Sequence, residues 1–294
     1  MTSPLPLLHL TPLDALYPSR LRGQADAPSS LTTCGGSLEA ERAVAIVGAR
    51  SATADASRFA HDLASTLARL GVVVVSGGAL GIDAAAHRGA LDAGGRTWAV
   101  AGTGHEHVFP EEHADLFRQI ASGPGAMVWP FAPDYRHRSG FLARNRVLVA
   151  LADAVVVVQA GLPSGALRAA ASARRLGRPL WVVPAPPWLD AFHGSRLLLQ
   201  QGARPLLFVE ALVASLGVTR SPTPPPSPVP PARALNAHET EVLRHTSTDA
   251  LHVDQIASRT GLTTHAVAVA LLTLSLENVV VEGPSGFFRR RIDR

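Results

Sequence analysis

A cluster of arginines beside an aromatic residue is the part of this sequence best suited to bind a polyanion. Residues 136 to 146 contain four arginines and no carboxylate. The four are Arg136, Arg138, Arg144 and Arg146. Phe141 and Asn145 lie among them, so the segment offers an aromatic face, an amide and planar cations that fit phosphate groups. A solvated basic loop would have the same composition, so the interpretation depends on the neighbouring segments.

Two glycine-containing turns follow apolar segments and could receive phosphate groups. Gly48-Ala-Arg50 comes directly after Val44–Val47, and a helix is predicted to begin near Thr53. A helix N-terminus and the Arg50 cation both favour an anion at this turn. The second turn contains Ser76, Gly77 and Gly78, whose backbone amides could bind a phosphate. This turn has neither the Walker lysine nor the G-x-G-x-x-G spacing, so it predicts no ATP or dinucleotide cofactor.

A third turn and a group of histidines extend the set of candidate ligands. Ser164 and Gly165 follow the apolar segment Ala154–Gln159 and open a predicted helix that carries Arg168. Ser164 is a plausible helix N-cap, and the same helix end could hold a phosphate. The histidines lie near Gly102-Thr-Gly104, where glycines and a proline indicate a loop, so no metal site is predicted. They are His105, His107 and His113.

Short apolar segments alternate with helical ones before residue 217, which predicts a parallel sheet covered on both faces. The expected fold is a doubly wound, mostly parallel, Rossmann-like α/β domain over 43–216, with ligands at the carboxyl ends of the strands. The predicted strands are Val44–Val47, Val72–Val75, Thr97–Ala101, Ala126–Trp129, Ala154–Gln159 and Leu180–Val183. The predicted helices are Ala54–Leu70, Ala84–Ala93, Ala114–Ile120, Leu142–Leu151 and Gly165–Leu176.

The rest of the chain divides at a proline-rich stretch. Residues 217–233 are predicted to be an extended linker, because proline at this density favours polyproline geometry. Residues 234–294 are predicted to be a winged-helix domain of three helices and two strands. The helices are Ala237–His245, Val253–Thr260 and Thr264–Leu276, and the strands are Val279–Glu282 and Phe287–Arg290. Residues 1–42 are expected to be a trimmed N-terminal segment, possibly a partial helical domain.

Composition supports a globular protein with a basic core domain. The 294 residues are 47% hydrophobic and 17% charged, and all 27 cations are arginine. Between positions 43 and 216 there are 16 arginines against 12 acidic residues, whereas the winged-helix region has 6 against 7. Cys34 is the only cysteine, which excludes an internal disulfide. No signal peptide or membrane span is predicted, so we expect a cytoplasmic protein without membrane contact.

These residues, in this order, resemble the DNA-processing protein A (DprA/Smf) family. The resemblance covers about 43 to 203, and its most specific parts are the Phe141–Arg146 element and the glycine loop that ends in Ile82-Asp83. It implies a homodimer that binds single-stranded DNA, protects incoming DNA during natural transformation and loads the RecA recombinase. The family is not known for catalysis, so no catalytic residue, metal or cofactor is expected. The expected DNA-binding residues are Arg50, Ser76, Gly77, Gly78, Arg136, Arg138, Phe141, Arg144, Asn145, Arg146, Ser164, Gly165 and Arg168.

Three positions depart from the family's pattern. Leu80 stands where a basic residue is usual, which removes one phosphate contact. Trp129 and Gln159 replace acidic residues at strand ends, which lowers the repulsion of DNA and the capacity for acid–base chemistry.

Two other functions remain as alternatives. A LOG-like nucleotide phosphoribohydrolase shares a similar glycine turn, but the helix from Gly165 to Leu176 lacks the acid that such catalysis needs. A transcription regulator would read DNA through the third winged-helix helix, yet residues 263–276 contain no arginine to contact guanine or phosphate.

Overall fold

The computed structural model describes residues 6–24, 27–218, 235–247, 249–277, 279–283 and 286–290. The chain divides into two compact units, Met1–Ser221 and Pro222–Arg294. Apart from residues 217 and 218, the predicted proline-rich linker lies outside the described residues.

The described part of the larger unit contains nine strands and seven α-helices. The strands are β1 (Leu7–Leu10), β2 (Leu31–Gly35), β3 (Ala43–Val47), β4 (Val73–Ser76), β5 (Thr97–Val100), β6 (Ala126–Trp129), β7 (Ala154–Val157), β8 (Leu180–Val182) and β9 (Arg204–Pro205). The helices are α1 (Ala54–Arg69), α2 (Ile82–Asp92), α3 (Ala114–Ser122), α4 (Gly140–Ala150), α5 (Gly165–Arg175), α6 (His193–Gln200) and α7 (Val209–Ser215).

These strands form one sheet in the order β1-β2-β6-β5-β4-β3-β7-β8-β9. The strands from β6 to β9 pair in parallel, whereas β1 and β2 are antiparallel additions at one edge. Successive residues of β3 pack on opposite faces, with Val44 in the cluster under α1 and Ala45 in the cluster under α4 and α5. Both faces are therefore buried, as the continuous apolar strands predict.

The order of the strands reverses beside β3. From β3 the chain builds outward through β4, β5 and β6, and then returns to place β7 on the other side of β3. In such sheets the connections diverge at this point and leave a crevice at the carboxyl ends of the strands. The candidate site described below lies in this crevice.

The predicted strands and helices of the larger unit are confirmed with boundaries that shift by a few residues at most. The prediction for residues 1–42 is wrong over the described residues, because they form β1, β2 and one short 3-10 helix (Ser19–Leu21) instead of a helical domain. Thr32, Thr33 and Cys34 pair with β6 and are buried by the sheet they extend. Strand β9 and helices α6 and α7 were not predicted.

The smaller unit is a winged helix in its described residues. Its helices are α8 (Ala237–His245), α9 (Val253–Thr260) and α10 (Thr264–Leu276), and its strands are β10 (Leu251–His252), β11 (Val280–Glu282) and β12 (Phe287–Arg290). The three predicted helices are confirmed, and β10 is an additional strand that pairs with β12. Gly261 has a φ of 69° and ends α9, which is the left-handed geometry that a glycine adopts without strain.

Among the described helices of both units, none combines the length and the apolar composition that a bilayer crossing requires.

Candidate nucleic-acid interface

A cleft of about 420 Å³ opens at the carboxyl ends of β3 and β7. Its walls come from the β3–α1 turn, the start of α2, the first turns of α4 and the β7–α5 turn. The side chains and backbone that line it include Arg50, Asp83, Phe141, Arg144, Asn145, Gln159, Ser164 and Gly165. The doubly wound topology therefore gathers side chains that are far apart in the sequence.

Arg50 is held at the mouth of this cleft by a fixed turn. Thr53 caps α1, since its hydroxyl oxygen accepts a hydrogen bond from the Ala56 amide at 3.2 Å. The Thr53 amide in turn donates to Gln159 Oε1 at 2.9 Å, and the Gln159 side chain is buried. Gln159 thus ties the β3–α1 turn to β7, while Arg50 itself is exposed. An exposed cation next to the N-terminus of a helix is suited to an anion.

Phe141 lies directly beside Arg50. The Arg50 guanidinium carbon is 5.5 Å from the centroid of the Phe141 ring, a cation–π contact. A second neighbour of the ring is Phe109, whose ring centroid is 5.0 Å away at an interplanar angle of 53°. The ring needs a glycine below it, because a Cβ atom at Gly102 would lie 2.4 Å from Phe141 Cδ1. The Phe141 ring and the Arg50 guanidinium therefore lie side by side in the wall of the cleft.

A second groove of about 720 Å³ continues from this pair. Arg136 and Arg138 line it, and it shares Arg50 and Phe141 with the cleft. Both of these additional arginines are exposed. Glu111 is the carboxylate among the described residues of the groove, so three arginines face one acid. The cleft and the groove together form one basic track with an aromatic ring at its centre.

Arg144 lies on α4, the helix that carries Phe141, but unlike the arginines of the track it is buried. It is 6% exposed, and its Nη1 donates a hydrogen bond to the Val100 carbonyl oxygen at 2.8 Å. Its Nη2 is 3.4 Å from Asp83 Oδ2, and that carboxylate also accepts from the Ala79 amide at 3.3 Å. The guanidinium lies against Gly77, where an added Cβ would be 1.6 Å from Nη1. Arg144 therefore braces the glycine turn after β4.

Burial changes the ionisation of this pair. It raises the pKa of Asp83, because the carboxylate loses its hydration, while the nearby Arg144 charge acts in the opposite direction. It also lowers the pKa of Arg144, and Asp83 counteracts that change. Each charge is thus stabilised chiefly by the other.

The rest of the glycine turn after β4 faces inward. Ser76 is fully buried, and its hydroxyl donates to the Ile46 carbonyl at 2.6 Å. Gly78 has a φ of 75°, and His113 Nδ1 bonds its carbonyl at 2.9 Å. The Ser76 hydroxyl therefore joins β4 to β3, while the predicted phosphate contact of Ser76 through its backbone amide stays a prediction. Gly77 lines a smaller cavity beside Arg50 and Phe141.

The turn after β7 is arranged as the sequence predicts. Ser164 caps α5, with its hydroxyl accepting from the Ala166 amide at 3.1 Å. Asn145 is buried, and its amide nitrogen donates to the Gly165 carbonyl at 3.3 Å, which joins α4 to this turn. The α5 N-terminus therefore lines the cleft, together with the turn that precedes α1.

The family model of the DNA recombination-mediator protein A matches residues 9–217, and the DprA winged helix domain matches residues 224–286. The chain belongs to the DNA recombination-mediator protein A family. Both units and their order along the chain agree with the resemblance found in the sequence.

Individual relatives agree with this membership. A Mycobacterium tuberculosis relative is 46% identical over 179 residues, which are 60% of this chain and 46% of the relative, so the chain spans less than half the length of that protein. Protein Smf of Escherichia coli is 32% identical over 291 residues, or 96% of this chain and 78% of the relative.

Two solved structures resemble the larger part of the chain. DNA processing protein A of Streptococcus pneumoniae has a TM-score of 0.66 at 30% identity, over 72% of this chain and 74% of the other. The Helicobacter pylori protein has a TM-score of 0.65 at 30% identity, over 74% and 98%, and its structure concerns a single-stranded DNA binding mode.

Two of the predicted arginines do not reach the cleft in this family member. Arg146 is exposed on another side of α4 and lines a separate small cavity with Leu21 and Arg175. Arg168 is exposed on α5 but is absent from the walls of the cleft. The structure therefore brings together Arg50, Phe141, Arg144, Asn145, Ser164 and Gly165, and adds Arg136 and Arg138 in the adjoining groove.

The histidines of the β5–β6 region have separate partners. His107 Nε2 bonds the Asp134 carbonyl at 3.1 Å, His113 bonds Gly78, and His105 packs against Trp129. No group of three or more metal-ligating side chains is found among the described residues.

Phe109 was not among the predicted DNA-binding residues, and Gln159 was noted only as a strand-end position where the family usually has an acid. A signal was present for both, because each follows the carboxyl end of a parallel strand at the edge where ligands bind.

Proposed function

We propose that this chain binds single-stranded DNA along the basic track at the carboxyl edge of its larger sheet. The observation that carries the proposal is the Arg50–Phe141 pair, since it forms a wall common to the cleft and the groove. Family membership supports it, as does the single-stranded DNA binding of the H. pylori relative. A continuous basic track of this kind suits the phosphate backbone of a nucleic-acid strand better than it suits one small ligand.

Binding would combine charge with stacking. Arg50, Arg136 and Arg138 would neutralise phosphates, and the N-termini of α1 and α5 would add backbone donors. Phe141 would stack on an unpaired base, an interaction that contributes about 1–3 kcal/mol and tolerates any base. A duplex keeps its bases stacked inside, so its phosphates could contact the arginines but its bases could not stack on Phe141. The expected preference is for the single strand, with little sequence specificity.

We further propose that the site acts by binding and not by catalysis. Asp83 is the one carboxylate among the described residues that line the cleft, and it is paired with Arg144. A glycosidic cleavage needs carboxylates that are free to donate a proton or stabilise positive charge.

The test compares three variants of the full chain by fluorescence anisotropy with labelled oligo-dT. Phe141→Ala should weaken binding about 5- to 150-fold, the equivalent of one stacked base. Arg50→Ala should weaken binding and reduce the slope of log K against log salt by about 0.7. Arg69→Ala is the matched control, because Arg69 is exposed at the far end of α1, away from the cleft. Wild-type affinity in both test variants would contradict the proposal.

The cellular role that we propose follows the family: protection of incoming single strands and loading of RecA in natural transformation, in the cytoplasm. The decisive assay is RecA filament assembly on a single strand covered by single-strand binding protein. Stimulation by the wild-type chain, and loss of stimulation in Phe141→Ala, would support this role. If the wild-type chain saturated the single strand and still did not stimulate RecA filament assembly, the proposed role would be refuted.

We propose a homodimer that forms through the β9 edge of the sheet. Trp188, Leu207 and Phe208 are 78%, 66% and 70% exposed, and they lie on the segments that follow the neighbouring strands β8 and β9. Large exposed apolar side chains favour burial by a second copy of the chain. Light scattering should give a dimer mass for the wild type and a monomer mass for Phe208→Arg. A monomeric wild type would exclude the dimer.

A further inference from the structure

The exposed face of α5 carries three arginines at helical spacing. Beyond the first residue of the helix, the exposed positions are 168, 171, 174 and 175, and all of them except Ala171 are arginine. Residues three or four positions apart lie on one side of a helix, so Arg168, Arg174 and Arg175 form one stripe around Ala171. The alanines between them pack into the core, which leaves these three arginines, the α5 stripe, on the surface.

Helix stability explains only part of the α5 stripe. Arg174 and Arg175 lie in the last turn of the helix, where a cation is favourable because the helix dipole is negative at that end. Arg168 closes the first turn, where the same dipole disfavours a cation. The position of Arg168 therefore points to a contact outside the helix.

The positive charge of the α5 stripe has little compensation in the surrounding sequence. Neither α4 nor α5 contains an acidic residue, and residues 154–209 contain six arginines against one acid, Asp190. Arg174 is held by a neutral partner, since its Nη1 donates to Gln201 Oε1 at 2.7 Å and its Nη2 donates to the Gln201 carbonyl oxygen at 3.2 Å. A guanidinium fixed in this way keeps its charge and is oriented before a ligand arrives.

The α5 stripe begins at the edge of the cleft. Ser164 and Gly165 line the cleft, and Arg168 lies three residues beyond Gly165, or about 4.5 Å along the helix axis. Arg174 lies about 9 Å farther along the same axis. The stripe therefore extends the positive surface from the β7–α5 turn along α5, away from the carboxyl edge of the sheet.

We propose that the α5 stripe binds the phosphate backbone of DNA that extends beyond the cleft. Arginine forks fit phosphate oxygens, and three of them along one helix suit a chain of phosphates better than a single small anion. The exposed positions of α5 hold no aromatic side chain, so the stripe contacts phosphates and not bases. They also hold no large apolar side chain, which a helix that binds a lipid surface requires. This inference rests on the proposed binding of single-stranded DNA in the cleft.

Salt titrations of the full chain with two lengths of oligo-dT test the α5 stripe. A strand of about 6 nucleotides fills the cleft, whereas one of about 20 nucleotides also reaches the stripe. In the wild type, the slope of log K against log salt should be steeper for the longer strand. Arg168→Ala/Arg174→Ala removes two phosphate contacts, so the slope should become less steep by about 1.4 for the longer strand and stay unchanged for the shorter one. A longer strand whose extension is abasic should behave like the longer oligo-dT.

Two control variants separate charge from structure. Arg168→Lys/Arg174→Lys keeps both charges and should retain the wild-type slope. Arg69→Ala/Arg88→Ala removes two exposed arginines from α1 and α2, which pack on the opposite face of the sheet, and should leave both slopes unchanged. Alanine is the best helix former, so the alanine variants should fold, and their affinity for the shorter strand measures this directly.

Three results would overturn the inference. The first is equal slopes for the two strands in the wild type. The second is a longer-strand slope that Arg168→Ala/Arg174→Ala leaves unchanged, which would leave the α5 stripe to an acidic protein partner. The third is an equal loss of slope for both strands, which would mean that these arginines act in the cleft. If the wild type bound neither strand, the proposed function itself would fail.

Discussion

The contact between Arg144 and Gly77 can be tested through protein stability. In Gly77→Ala the new Cβ would lie 1.6 Å from Nη1 of Arg144 and 1.9 Å from its Cζ, so the guanidinium must move. It is fixed by Val100 and by Asp83, and all parts of this network are buried. Displacing one member of a buried ion pair costs about 3–5 kcal/mol. This is a large share of the roughly 5–15 kcal/mol that stabilises a typical domain.

A double-mutant cycle makes this prediction specific to the contact. Arg144→Ala removes the guanidinium and leaves space for a methyl group at position 77, where the backbone φ lies outside the left-handed region. Gly77→Ala should therefore cost about 3–5 kcal/mol in the wild-type background and close to zero in the Arg144→Ala background.

Urea unfolding followed by tryptophan fluorescence is the appropriate assay. All four tryptophans lie in the larger unit, so the signal reports its unfolding alone. Additive costs in the two backgrounds would refute the reasoning, because they would mean that the guanidinium does not occupy the space beside Gly77.

Three further predictions concern pH, salt and helix capping. His87 is buried, and burial together with the nearby Arg144 charge lowers its pKa to about 3. The unfolded chain binds a proton on His87 near pH 6.5 and the folded chain does not, so the free energy of unfolding should fall by about 2 kcal/mol between pH 6.5 and 5. If the free energy of unfolding depended on pH to the same extent in His87→Leu, His87 would not be the group responsible. Arg136→Ala should reduce the salt slope of oligo-dT binding by about 0.7, and a slope equal to that of Arg69→Ala would remove Arg136 from the interface. Ser164→Ala should lower the unfolding free energy by about 1 kcal/mol in urea titrations, and no change would show that the α5 cap contributes nothing.

Much of the fold could be predicted because its signals are local. Each central parallel strand is a short apolar run, and α1, α2 and α5 begin directly after Thr53, Gly81 and Ser164. The edge strands lack such signals. β2 contains Thr32, Thr33 and Cys34, and it becomes a strand by pairing with β6, which lies far along the chain.

The site was predictable to a smaller extent. The meeting of Arg50 and Phe141 follows from the rule that ligands bind at the carboxyl ends of parallel strands. The position of Arg146 could have been inferred from helix geometry, because five residues after Phe141 correspond to a rotation of about 140°. The burial of Arg144 could not have been inferred in this way. Its counter-ion Asp83 lies 61 positions away, and only tertiary packing brings the two together.

We propose above that this chain prefers single-stranded DNA and holds it through arginines and an aromatic ring. The most direct measurement is the affinity of the wild-type chain for oligo-dT and for a matched duplex over a series of salt concentrations. We expect tighter binding of oligo-dT and a slope of log K against log salt of about −2 or steeper, from the three exposed arginines of the track. Equal affinity for the two DNAs, or binding to oligo-dT that is insensitive to salt, would contradict it.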